Sequence, residues 1–203
     1  GIIVPKDGWL KQLRELCDSN NILLILDEIQ SGLGRTGKLF AFEHENIKPD
    51  GLIIGKALGG GLLPVSAFLS SKEIMDHFQP GSHGSTFGGN PLAAKVATKA
   101  LELLYEDNLI ENSAIFGNFF KDELNSIQHP LIKEVRGKGL WICVELHPSD
   151  VSAKDICKKL ITKGIIAKET HQTVIRFAPP LMISKEQIEW AMGQIKSVFK
   201  DIP

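Results

Sequence analysis

Five consecutive apolar residues, Ile22-Leu23-Leu24-Ile25-Leu26, end abruptly on two carboxylates, Asp27 and Glu28. A run this short suits a strand buried on both faces, as in a parallel sheet, better than a helix. Parallel strands need crossover connections, and the flanking segments supply them. Leu10, Leu13, Leu16 and Cys17 recur at helical spacing behind Asp7, a residue able to cap a helix. Leu52-Ile53-Ile54 and Val65 to Leu69 read as two further strands separated by glycine-rich turns. The expectation is an α/β fold with a site at the carboxyl ends of its strands.

Composition narrows the function classes. At 203 residues with 43% hydrophobic content, the chain can build a real core and is not intrinsically disordered. Its length corresponds to one or two domains of roughly 150 residues. Twenty-three basic and 24 acidic residues leave a net charge of −1 with no run of one sign, which argues against a dedicated nucleic-acid binder. The longest stretch free of Asp, Glu, Lys, Arg and His, Ala57 to Ser71, is broken by Gly59-Gly60-Gly61 and Pro64 and is no membrane span. Three scattered cysteines, Cys17, Cys143 and Cys157, suit a reducing compartment. The first residue is Gly1, so a processed or truncated start is expected.

Downstream, Asn90-Pro91 is a strong helix start, followed by the stripe Leu92, Val96, Ala100, Leu103 and Leu104. A second helix carries Phe116, Phe119, Phe120, Leu124 and Ile127. Trp141 to Leu146 reads as a strand, and Ser152 with Asp155 opens a helix stopped at Gly164. Extended runs at Ile165 to Ala167 and Val174 to Phe177 precede a last helix. Ser184 and Gln187 form its capping box, and Ile188, Met192, Ile195 and Phe199 its buried face. The break between halves falls near Tyr105 to Leu109.

Several motifs carry chemistry or imitate it. Gly32-Leu33-Gly34-Arg35-Thr36-Gly37 matches G-x-G-x-x-G, but Glu28 to Ser31 separate it from the strand and no helical pattern follows. It reads as a turn-rich connection rather than a nucleotide loop. Asp27 follows five apolar residues, so its carboxylate is expected to be partly desolvated and to need a cationic partner such as a protonated heterocyclic nitrogen. Acidic pairs of this kind are otherwise solvated loop residues. Most lysines lie at the surface, yet Lys56 sits between an apolar strand and a triple glycine, where backbone can approach a ligand and Schiff-base chemistry is favoured. Gly84-Ser85-Thr86-Phe87-Gly88-Gly89-Asn90 suits either a phosphate or a simple helix-capping turn. No histidine stands at metal-ligand spacing, and no G-x-S-x-G surrounds Ser82 or Ser85.

Taken together, Leu26-Asp27-Glu28-Ile29-Gln30-Ser31-Gly32-Leu33-Gly34-Arg35-Thr36-Gly37, Lys56-Ala57-Leu58-Gly59-Gly60-Gly61 and His83 to Pro91 closely resemble the class III aminotransferases, enzymes of pyridoxal 5'-phosphate. The order and spacing of the motifs match that family. The segments Ala167 to His171 and Ile175 to Leu181 are most similar to its ornithine-using branch, the ornithine aminotransferases. The resemblance spans nearly the whole chain but only the second half of the family protein. It implies the fold type I architecture: residues 1–107 as the end of the large cofactor-binding domain with its linking helix, and residues 108–203 as the small α+β carboxyl-terminal domain.

The resemblance also implies roles. Lys56 would carry the cofactor as a Schiff base and move the substrate proton. Asp27 would keep the pyridine nitrogen protonated. Gln30 would meet the phenolic oxygen, Ile29 the ring face, and Ser85 and Thr86 the phosphate held by a neighbouring subunit. Arg176 would clamp a substrate carboxylate. The implied reaction passes the δ-amino group of ornithine to 2-oxoglutarate, giving glutamate 5-semialdehyde and glutamate. Acetylornithine or 4-aminobutyrate transamination, or a non-catalytic oligomerisation fragment, are the alternatives. A homodimer or higher oligomer in the cytoplasm (the mitochondrial matrix in a eukaryote) is expected. So is a dependence on the absent first half, without which the chain would turn over little or nothing.

Overall fold

A computed structural model describes residues 1–202, and two compact units divide them. The first comprises Pro5–Gly34 and Lys38–Leu109; the second comprises Gly1–Val4, Arg35–Gly37 and the described residues from Ile110 onward. Among the described residues no helix is long and apolar enough to cross a membrane.

In the first unit, helix α1 (Trp9–Ser19) leads into strand β1 (Ile25–Asp27), which pairs in parallel with β2 (Gly51–Ile54). Strand β3 (Ala67–Ser70) returns antiparallel to β2, and the short helix α2 (Lys72–Met75) follows it. The residue preceding α1 is Gly8 at φ 83°, not the expected Asp7, and no side chain caps the helix. The apolar run also departs from expectation. Only Ile25 and Leu26 of its five residues enter β1, and Ile22, Leu23 and Ile25 stay half exposed because β1 is an edge strand of a three-stranded sheet. Helix α3 (Pro91–Glu106) begins where expected, with the Asn90 side chain accepting from Ala93 N at 2.8 Å. Of its apolar stripe only Leu104 is buried, while Leu92 is 65% exposed.

The second unit is closed. Helix α4 (Leu109–Asn125) precedes β4 (Ile132–Lys138) and β5 (Trp141–Leu146), and helix α5 (Ala153–Thr162) connects to β6 (Lys168–Thr170). Strand β7 (Val174–Phe177) and helix α6 (Lys185–Lys200) complete it. The antiparallel sheet runs β4-β5-β7-β6. Alternation along β5 and β7 turns Ile142, Val144, Leu146, Ile175 and Phe177 onto Phe120, Leu124, Ile156, Leu160, Ile188, Ile195 and Phe199 from the three helices. Both α5 and α6 carry complete capping boxes, Ser152 with Asp155 and Ser184 with Gln187. Where an extended run at Ile165 to Ala167 is expected, no strand forms, and the helix end takes up Ile165. Gly164, at φ 83°, donates to Ile161 O and Ile165 donates to Leu160 O, a Schellman closure that delays β6 to Lys168.

Candidate active site

The site is assembled on the parallel pair β1 and β2. Their register, Asp27 opposite Ile53, brings Asp27 and Lys56 out at the same end of the sheet. Asp27 itself is exposed, contrary to the expected desolvation, because it alternates away from the face that Leu26 presents inward. Its Oδ1 accepts from Ile29 N at 3.0 Å and so bends the chain at the strand end. The buried carboxylate is the next one. Glu28 is 3% exposed, and its oxygens accept from Ser31 Oγ (3.0 Å), Ala41 N (2.7 Å) and Phe42 N (2.9 Å).

Lys56 opens a 3₁₀ turn, Lys56–Gly59, in the left-handed region at φ 46°. A non-glycine residue held there is strained, and such strain concentrates at functional positions. The turn is closed by Leu58 N donating to Gly55 O and Gly60 N donating to Ala57 O. The ammonium of Lys56 donates to Gln30 Oε1 at 3.1 Å. Ile29 lies over the backbone just before that lysine, about one van der Waals contact (3.5 Å) from the place a Gly55 side chain would occupy. Asp27, Ile29, Gln30 and Lys56 are therefore gathered at one strand end.

Lys56 and Ser85 line one cleft of about 1190 Å³ with Ile53, Ser66, His83 and Phe87. Within the loop, Ser85 Oγ accepts from Gly88 N at 3.1 Å. The capping of α3 falls to Asn90, so Ser85 is not needed for it. Thr86 is exposed in the same loop.

Arg176 belongs to the second unit. It lies on β7 opposite Cys143 of β5 and Lys168 of β6, on the face away from Ile175 and Phe177. Among the described residues it makes no hydrogen bond or ion pair. Arg136, on the same sheet, instead binds Glu134, Glu145 and the carbonyls of Gly1 and Ile2. The segment from Gly32 to Gly37 is a chain of turns followed by a 3₁₀ turn, Ala41–Glu45, and not by an α-helix. Its Arg35 donates to Leu140 O and Pro179 O within the second unit, and burial pushes the guanidinium pKa down. This anchoring arginine escaped the sequence reading, which offers no side-chain partner for it.

Known proteins similar to this chain agree with one another. The family described as Aminotransferase class-III matches residues 1–199. Ornithine aminotransferase 2 of Staphylococcus saprophyticus is 55% identical over 200 residues, covering 98% of this chain and 50% of that protein. Ornithine aminotransferase of Geobacillus sp. is 54% identical over 202 residues, again 50% of its length. Among solved structures, ornithine aminotransferase from Toxoplasma gondii superposes with a TM-score of 0.96 at 44% identity, over 98% of this chain and 48% of that one. Acetylornithine aminotransferase from Elizabethkingia anophelis gives 0.96 at 46%, over 100% and 51%. The chain spans about half the length of the curated relatives it matches.

Proposed function

The chain belongs to the class III aminotransferases, and on that premise we propose that it serves pyridoxal-phosphate-dependent transfer of the δ-amino group of ornithine to 2-oxoglutarate. The observation that carries the proposal is the Lys56 amine, fixed by Gln30 at the strand end where Asp27 also emerges. The residues fit the cofactor. Lys56 offers its amine to the cofactor of its own site, and the glycines Gly88 and Gly89 beside Ser85 leave backbone that the phosphate of a neighbouring subunit's cofactor can approach closely. Lys56 would hold the cofactor's aldehyde carbon, Asp27 its ring nitrogen, Gln30 its phenolic oxygen and Ile29 its ring face. Ser85 and Thr86 would hold a phosphate belonging to a neighbouring subunit, which makes the working unit a homodimer or larger. When bound, pyridoxal phosphate supplies a conjugated ring that accepts the electron pair of the broken C–H bond.

The protein's own groups do the rest. Lys56 Nζ, once displaced by the substrate amine, would take the proton from the substrate carbon and deliver it to the cofactor's former aldehyde carbon, with Gln30 Oε1 fixing the position of that nitrogen. Asp27, anchored by Ile29 N, would set its carboxylate against the protonated ring nitrogen. Arg176, whose guanidinium has no partner among the described residues, offers a bidentate fork to the carboxylate of a 2-oxo acid. Three buried free thiols, Cys17, Cys143 and Cys157, suit a cytoplasmic setting.

N-acetylornithine is the second reading, supported by the 46% identity to an acetylornithine aminotransferase structure. Both are tested by incubating the protein with pyridoxal phosphate, reducing with borohydride and locating the adduct by mass spectrometry. Glutamate semialdehyde formation is then measured from ornithine and compared with turnover of N-acetylornithine. A pyridoxyl group on Lys56 and preference for ornithine are expected. Adducts only on other lysines would overturn the proposal and leave an oligomerisation fragment. Preference for the acetylated amine would transfer the assignment to the second reading.

A further inference from the structure

Glu28 is a buried carboxylate, and its neighbours explain its presence. Its backbone N donates to Ile53 O, continuing the β1–β2 ladder by one residue beyond Asp27. Its backbone O accepts from Gly32 N at 3.0 Å, closing a turn over residues 28 to 32. Its carboxylate accepts from Ser31 Oγ inside that turn and from Ala41 N and Phe42 N in the loop beyond. Phe40 and Phe42 stack at 5.6 Å on either side of Ala41 and stiffen that loop. One residue thus ties the sheet, the turn and the loop together. Gln30 sits inside the turn and meets the Lys56 ammonium.

We infer that Glu28 is a positioning residue for the amine of Lys56, acting through the 28–32 turn to set Gln30 Oε1 against Nζ. The inference rests on the proposed role of Lys56 as the cofactor-holding amine. A carboxylate suits this task because all three of its partners are donors. A glutamine in its place can serve Ser31 and Ala41 through its single oxygen, but its amide would face Phe42 N–H donor to donor. Alanine removes all three anchors.

The test uses the native holoenzyme with E28Q, E28A, Q30A and the E28A/Q30A and E28Q/Q30A pairs. Wild-type protein is first checked for the pyridoxyl adduct on Lys56. Turnover and the absorption maximum of bound pyridoxal phosphate are then measured. A misplaced catalytic group costs up to about a hundredfold in rate. E28Q should lower kcat about tenfold with KM within about twofold, and E28A should approach Q30A. The absorption maximum should move in the same direction in E28A and Q30A. In either pair the losses should not multiply, because both substitutions remove one interaction. If E28A does not fold, the E28Q/Q30A pair decides alone. Wild-type kcat and spectrum in E28Q, or multiplying losses in the pairs, would overturn the positioning role while the adduct on Lys56 stands. No adduct in the wild type would bring down the reading of Lys56 and this inference with it.

Discussion

The two units solve burial differently. In the second, Ile142, Val144, Ile156, Leu160, Ile175 and Ile195 are each 0% exposed, and one sheet face with three helices accounts for all of them. In the first, Ile22, Leu23, Leu62, Phe87 and Leu92 stand more than half out of their possible contacts although the sequence around them is as apolar. The second unit's core side chains find their partners within this chain, while Ile115, Ile161, Ile166 and Met182 stay exposed at its surface. The first unit buries Leu24, Leu52, Ile54 and Leu58 but leaves more of its large apolar side chains exposed, and that same unit carries Lys56, Gln30 and the buried carboxylate of Glu28. Packing and chemistry are divided between regions, so substitutions should affect them unequally.

The largest expected effect lies in the closed core. Leu160→Ala deletes a side chain buried among α5, α6 and the sheet, and should destabilise the second unit by about 3 kcal/mol. Ile25→Ala in the edge strand of the first unit should change stability by less than about 0.5 kcal/mol, since Ile25 is half exposed. Denaturant titration of both variants checks the contrast. Equal losses would mean that the first unit's apolar surface is covered in solution.

Legibility in the sequence followed the same division. Trp141 to Leu146 and Val174 to Phe177 match β5 and β7 at both ends because alternation there is enforced by one buried face. Both capping boxes were visible because Ser and its partner stand three residues apart. Strand β6 starts later than the run suggests, because the glycine-closed helix end takes up Ile165, the first residue that looks extended. In the first unit the run from Ile22 to Leu26 promised more strand than its single neighbour supports. The gathering of Asp27, Gln30 and Lys56 was legible from motif order and parallel strand ends. Glu28 was not, because two of its partners are backbone amides 13 and 14 residues away, and no side-chain pattern announces an amide.

A smaller effect sharpens the contrast from the packing side. A methyl group built on Gly117 of α4 would lie 2.1 Å from the carbonyl carbon of Gly139, in the turn between β4 and β5. The helix approaches that turn only because position 117 has no side chain. Gly117→Ala gains helix propensity but forces main chain apart, for a net loss of about 1–2 kcal/mol. In the first unit, Gly61 faces open space. Substitution there meets backbone strain at φ 76° but no contact. Thermal unfolding should show the Gly117 variant losing the second unit's transition first, and an unchanged midpoint would contradict the close packing.

The smallest effect concerns acid, and here the two units should behave alike. In the first, the amide of Leu24, followed by the Arg14 guanidinium at 2.6 Å, holds the Asp50 carboxyl below its usual range. In the second, Lys133, followed by Arg136, does the same for Glu145. A carboxyl whose pKa is depressed by folding binds fewer protons in the native state than in the unfolded one. Its stabilisation is complete above the unfolded value and fades as pH falls through the folded value. Loss should therefore begin near pH 4 and deepen below it, at about 1 kcal/mol or less for each partly exposed pair. Asp50→Asn and Glu145→Gln should each flatten the acid limb of one unit's transition and leave the other unchanged. A single substitution that flattens both limbs would mean that the units unfold as one body, and the contrast drawn from their cores would then describe packing density without describing separate stabilities.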